Sequence, residues 1–289
     1  MLNFFFIAFL TICVVQVKGS TTNTNTEVST SKSDKIDLTH FGSLIYGAPV
    51  QLPFDLLTKL NETPKWNPEE LGLYHEGDLL VPNDKKPNSR NGLIAYSTRW
   101  PRAIVPYEIR GRFSDNDLSI IQHAFQQYHN RTCVRFKPRY NERDYIVLTS
   151  DSTGCWSSIG RLGGRQVVNL QSSLCFRHNG TTMHELMHAL GFLHEHNRHE
   201  RDSFIRVLIK NVKNGLMSNF EKGSPRDQYG FGVPYDYASV MHYSKTSFSK
   251  NGQPTIEALR NTKESKMMGQ RTGFSNSDVA KLNAMYKCR

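Results

Sequence analysis

The sequence predicts an α+β domain, and three observations carry that expectation. Capped stretches with a helical period stand near both ends of it, Ser114 to about His129 and Ser275 to Tyr286. Between them lie short runs rich in β-branched and aromatic residues, each of strand length. Residues 200–270 then show few regular periods, which predicts a largely irregular stretch before the last helix.

In chain order, Ala103–Ile109 has strand character, but Pro106 has no N–H for a ladder, so an edge strand or a bulge is expected there. Ser114-x-x-Asp117 has the form of a capping box, and Leu118, Ile121 and Phe125 then recur on one helical face. Cys133–Phe136, Tyr145–Thr149 and Gln166–Leu170 are strand candidates, and Thr182–Leu190 reads as a helix. Ser275-x-x-Asp278 caps a last helix whose apolar side holds Val279, Leu282 and Tyr286, with Cys288 directly after it.

Ahead of this domain, the apolar run Phe4–Val15 followed by Val17-Lys18-Gly19 has the form of a secretory signal, residues 1–19. No later run is long enough to span a bilayer, so a secreted, extracellular protein without a membrane anchor is expected. Residues 20–36 are Ser-, Thr-, Asn- and Lys-rich and should be disordered. From Ile36 to Asp84 apolar residues recur without a period, so that segment could wrap over another surface but not build its own core. Pro82–Arg90 is polar and rich in breakers, an exposed linker. The division is therefore a signal at 1–19, a leader at 20–90 and a globular domain at 91–289, whose 199 residues suffice for one core.

The formal charge of +10 is unevenly spread. Residues 20–90 hold 7 Lys/Arg against 10 Asp/Glu, whereas residues 91–289 hold 28 against 16. A basic domain behind an acidic leader suits acidic or polyanionic matrix partners and a leader that docks electrostatically. A signal segment and the lack of a clustered basic helix argue against nucleic acid. Cys133, Cys155, Cys175 and Cys288 remain after the signal leaves, an even number that suggests two disulfides in any of three connectivities. No C-x-x-C pair supports a cysteine metal site. Asn61, Asn130 and Asn179 each open a glycosylation sequon.

The most specific run is His184-Glu185-Leu186-Met187-His188-Ala189-Leu190-Gly191-Phe192-Leu193-His194-Glu195. His184 and His188, four apart on a helix, project from one face and can share a metal. Glu185 stands beside them, placed to act on a water at the metal rather than to bind it. Gly191 allows the left-handed turn that returns His194 as a third ligand. Three protein ligands and one open position are the pattern of a catalytic zinc site, whereas structural zinc is closed by four.

These residues, with Ser239-Val240-Met241-His242-Tyr243, Gly154-Cys155-Trp156-Ser157 and Cys133-Val134-Arg135-Phe136, resemble the astacin family of metzincin zinc peptidases. Glu195 after the third histidine marks that branch, and the resemblance spans about residues 91–289. It implies a metzincin-like catalytic domain: a mixed sheet and two long helices in the N-terminal half, then a largely irregular C-terminal half ending in a helix. One Zn²⁺ held by His184, His188 and His194, Glu185 as general base and Tyr243 as a mobile oxyanion donor are implied, with Met241 as an apolar floor. The disulfides implied are Cys133–Cys288 and Cys155–Cys175; the first closes a loop worth about 5 kcal/mol in the chain-entropy account.

The leader is similar to a family pro-segment, residues 20–90. Glu76-Gly77-Asp78 resembles its zinc switch, with Asp78 on the metal, although His75 stands where phenylalanine is usual. A trypsin-like activating protease cutting after Arg90 would yield an amino terminus at Asn91, for which the family implies Glu195 as buried partner. Gln270-Arg271 resembles the position lining the pocket just after the scissile bond, which implies a preference for Asp or Glu there. Protein or peptide substrates, extracellular matrix or acidic proteins among them, are the expected partners. No accessory module follows Arg289 in the sequence, so accessory docking is not expected. A gluzincin-type peptidase is the alternative, against which Gly191-x-x-His194 argues. A secreted binding module that has lost activity would need a substituted ligand or base, and His184, Glu185, His188 and His194 are intact.

Overall fold

The computed structural model describes residues 67–72, 74–80, 96–224 and 230–289. The signal reading, Asn61, Arg90 and Asn91 lie outside them.

Among the described residues six strands form one mixed sheet in the order β1-β5-β6-β4-β2-β3. They are β1 (Leu79–Leu80), β2 (Ile104–Ile109), β3 (Arg135–Pro138), β4 (Tyr145–Thr149), β5 (Cys155–Ser158) and β6 (Arg165–Leu170). Pairing is parallel except between β5 and β6. The expectation that Pro106 puts its strand at an edge is wrong, because β2 pairs with β3 and β4 on its two sides. The ladder with β4 starts only at Tyr107–Ile146, so the N–H that Pro106 lacks falls before the first rung.

Helices α1 (Asp115–Arg131) and α2 (Asn179–Ala189) pack on the sheet, and α3 (Asn276–Tyr286) closes the domain. Both expected capping boxes form: Ser114 Oγ accepts from Asp117 N–H at 3.2 Å and Ser275 Oγ from Asp278 N–H at 2.9 Å, with the carboxylates returning to the cap N–H groups. Phe125 of α1 stacks on Phe136 of β3, and Tyr128 donates to Met183 O of α2 at 2.8 Å, which joins helix, sheet and metal helix in one apolar core.

The C-terminal half is largely irregular, as expected. Its described strands, β7 (Ile205–Val207) and β8 (Ile256–Ala258), form a two-stranded antiparallel sheet. A second cluster around Ile205, Phe220, Tyr235, Tyr243 and Phe248 fills it. Disulfides join Cys133 to Cys288 and Cys155 to Cys175, tying α3 to the start of β3 and β5 to the loop before α2. Among the described residues no helix is long and apolar enough to cross a membrane.

Candidate metal centre and active site

The metal helix α2 is held at both ends. At its start Gly180 N–H donates to Arg271 O at 2.8 Å, and a Cβ on Gly180 would stand 2.4 Å from that oxygen, so glycine permits the approach. At its end the carbonyls that a helix leaves unpaired find donors elsewhere. Trp100 Nε1 serves Ala189 O at 2.8 Å, the Tyr286 hydroxyl serves Leu190 O at 2.8 Å, and Gly160 N–H serves His188 O at 2.9 Å. Gly191 then takes φ 109°, which turns the chain back to His194.

Four buried groups converge there: His184, His188, His194 and Asp78, with ligand atoms all within 4.8 Å of one another. Asp78 Oδ2 is 3.0 Å from His184 Nε2 and 3.3 Å from His194 Nε2, and Asp78 Oδ1 is 3.6 Å from His188 Nε2. The other ring nitrogens face acceptors: His184 Nδ1 lies 2.8 Å from Val240 O, His188 Nδ1 2.6 Å from Phe192 O and His194 Nδ1 2.8 Å from Glu76 Oε2. These acceptors hold the proton on Nδ1 and turn each Nε2 lone pair inward. The Nε2 atoms of His184 and His188 are then 3.0 Å apart, two lone pairs that repel unless a cation lies between them. Asp78 Oδ1 has no hydrogen-bond partner. Three imidazoles and a carboxylate are a zinc donor set, and the residues fit that ion.

Burial pushes His184 well below the usual histidine range, and Arg271 adds to the effect; burial also lowers His188. Burial pushes His194 down too, but Asp78 and Glu76 carry it up to about 9. For Asp78 burial acts upward, yet the surrounding histidines hold it well below the carboxylate range. Glu185 goes the other way: burial, then the Asp78 and Glu69 charges, raise it well above that range. Neither Glu185 oxygen has a hydrogen-bond partner.

Tyr243 is outside the four-group cluster; its hydroxyl donates to Glu76 O at 2.5 Å, and its ring stacks on His196 with centroids 3.5 Å apart. Met241 is buried, and its carbonyl accepts from Glu195 N–H at 3.0 Å. The Ser239–Tyr243 turn is anchored by Asp278 of α3, which accepts from Ser239 Oγ at 2.5 Å and Val240 N–H at 2.9 Å. Asp278 therefore caps a helix and holds the carbonyl that orients His184, a second duty that its capping-box spacing does not reveal.

Arg271, expected at the substrate pocket, is buried; its Nη1 donates to His242 O at 3.1 Å and its Nε to Glu69 Oε1. Glu195 already has partners: Lys281 Nζ at 2.6 Å on Oε2, with Arg198 Nη1 and Asp236 N–H, both at 2.9 Å, on Oε1. Asn130 and Asn179 are exposed. Sequence reasoning missed Glu69, Glu70 and Lys281, which look like ordinary solvated charges; their burial and their partners are visible only in three dimensions.

A family model described as Astacin, a peptidase family, matches residues 93–287. The zinc metalloproteinase nas-4 of Caenorhabditis elegans is 40% identical over 226 residues, 75% of this chain and 70% of that protein. Zinc metalloproteinase nas-13 of the same organism is 42% identical over 200 residues, 69% of this chain but 43% of the relative, so the match spans less than half of that protein. Among solved structures, high choriolytic enzyme 1, a hatching enzyme zinc-protease from Oryzias latipes, aligns with a TM-score of 0.62 at 36% identity, covering 67% of this chain and 96% of that one.

Proposed function

The chain belongs to the astacin family of zinc metalloendopeptidases, and on that premise we propose a secreted endopeptidase made as a latent zymogen. The observation that carries latency is Asp78, whose Oδ2 lies within 3.3 Å of two histidine Nε2 atoms. With zinc held there, the Asp78 carboxylate would be a fourth donor in place of the water that a catalytic site keeps. Residues 20–90 act as the pro-segment, and a trypsin-like cut after Arg90 releases it.

His184, His188 and His194 would hold the zinc, which would supply Lewis-acid polarisation of the scissile carbonyl and a lowered pKa for the attacking water. Glu185 takes the proton from that water and passes it to the leaving nitrogen; both its oxygens are without a hydrogen-bond partner and so open to that proton. Tyr243, freed from Glu76, donates its phenol to the developing oxyanion, a contact worth about 3 kcal/mol in comparable sites. Met241 closes the site from below. Arg271, with its seat on His242 O, reads Asp or Glu just after the scissile bond, so acidic protein substrates are preferred. A new amino terminus at Asn91 joins Lys281 and Arg198 around Glu195 rather than meeting a lone carboxylate, so it adds to a charge network that already exists.

The test compares peptide hydrolysis and zinc content of the full chain before and after cleavage at Arg90, with Asp78→Ala alongside. Equal zinc in all forms, near-silence of the uncut wild type and raised basal activity in Asp78→Ala are expected. An uncut wild type as active as the cut one would refute latency.

A further inference from the structure

The leader touches the catalytic domain at a second place, away from the histidines. Asn67, Glu69 and Glu70 are buried in a turn set against the loops that carry Ser244 and Gly269. Glu70 Oε1 accepts from Ser244 N–H at 2.6 Å, Glu70 Oε2 accepts from Ser244 Oγ at 2.7 Å, and Asn67 Nδ2 donates to Gly269 O at 3.0 Å. Gly269 has φ 82°, and a Cβ there would stand 2.5 Å from Ser244, so the two loops meet only because this residue is glycine. At the centre of this seat the Glu69 carboxylate reaches Arg271 Nε.

Both members of that pair are removed from water, with side chains 0% and 1% exposed. The pairing uses one arm of each group: Arg271 Nη2 and Glu69 Oε2 have no hydrogen-bond partner. Guanidinium binds carboxylate most strongly through two parallel bonds. The leader's carboxylate is thus held specifically but less strongly than a two-armed carboxylate, as suits an occupant that must leave.

We propose that Glu69 is a built-in stand-in for the acidic side chain of a substrate, so that one cation, Arg271, both latches the leader and reads acidic peptides after activation. This rests on the reading of Arg271 as the substrate pocket. Latency then has two electrostatic anchors nine residues apart, Glu69 on Arg271 and Asp78 on the histidines. Around Asp78 the chain folds back on itself, Gly77 N–H donating to Tyr74 O at 3.0 Å and Leu79 N–H to His75 O at 2.9 Å. Ser157 N–H of β5 donates to Asp78 O at 2.9 Å. Those three amides report whether the leader is docked.

The experiment is hydrogen exchange at Gly77, Leu79 and Ser157 in the uncut full chain, for wild type, Glu69→Gln, Arg271→Met and the double variant. Each single change should speed exchange about 10- to 100-fold, as loss of a buried charged hydrogen bond does, and the double variant should exchange no faster than the faster single. Glu70→Gln, which loosens the leader through Ser244, should instead combine additively with Arg271→Met. Because Glu69 lies in the leader, its variant leaves the catalytic domain unchanged. Additive effects of Glu69→Gln and Arg271→Met, or wild-type protection in Glu69→Gln, would overturn the latch. The substrate reading is scored separately by cleavage profiles of the activated forms. An intact acidic preference in activated Arg271→Met would sink the shared role, and with coupled exchange would leave Glu69–Arg271 a latch alone.

Discussion

Replacing Asp278 by alanine should damage both the C-terminal helix and the metal centre. Its carboxylate accepts from Ser239 Oγ at 2.5 Å, Val240 N–H at 2.9 Å and Ser275 N–H at 3.0 Å. The first two donors are buried, and leaving each without an acceptor costs about 1–3 kcal/mol, while losing half of the capping box costs about 1 kcal/mol more. The sum, about 3–7 kcal/mol, is a large share of the roughly 5–15 kcal/mol that holds a typical domain together. Burial acts to raise the Asp278 pKa and Lys281 opposes it, so the group is placed for its hydrogen bonds at a real desolvation cost. Val240 O, on the residue whose N–H Asp278 fixes, is the acceptor for His184 Nδ1, so zinc affinity should fall about 10- to 100-fold as well. Urea unfolding measures the first effect and competition with a chromophoric chelator the second. Asp278→Asn, which keeps an oxygen for Val240 N–H and an amide for Ser239, should recover most of both. An alanine variant within about 1 kcal/mol of wild type and with unchanged zinc affinity would refute the coupling between α3 and the metal helix.

Two further outcomes are expected. Cys288→Ser with Cys133→Ser opens a bridge spanning 155 positions and should lower stability by about 5 kcal/mol in the chain-entropy account, read as a lower urea midpoint. Lys281→Met removes one cation from the buried Glu195 carboxylate and should cost about 3–5 kcal/mol; pairing it with Glu195→Gln should recover part of that loss, since the remaining group is then neutral.

The parts of the fold that were legible in the sequence are those specified locally. Tyr145–Thr149 is a run of large apolar and β-branched residues and forms β4 with those bounds, and both capping boxes form where Ser-x-x-Asp stands. Strand β5 was not anticipated, because Cys155–Ser158 is buried on every residue and ends in two serines, with no alternation to mark it. Helix α2 begins at Asn179 rather than Thr182, since Asn-Gly reads as a turn until Arg271 O is there to receive Gly180 N–H. The site divides in the same way. The three histidines and Glu185 sit in one helix-turn segment whose spacing states their geometry, and Asp78 stands in a short motif. Glu69 and Arg271 are 202 positions apart, and no local pattern links the one to the other.

Glu185 bears the central claim, that this chain uses its own carboxylate to move the proton in peptide hydrolysis. The measurement is hydrolysis of a peptide library together with zinc content, on the chain cut after Arg90 and on the same cut chain carrying Glu185→Ala. The account predicts one zinc per chain in both, because the proposed ligands, His184, His188 and His194, are untouched, and a loss of rate of about 10²–10⁴ or more in the variant. A variant that keeps its zinc and hydrolyses peptides at the wild-type rate would contradict it.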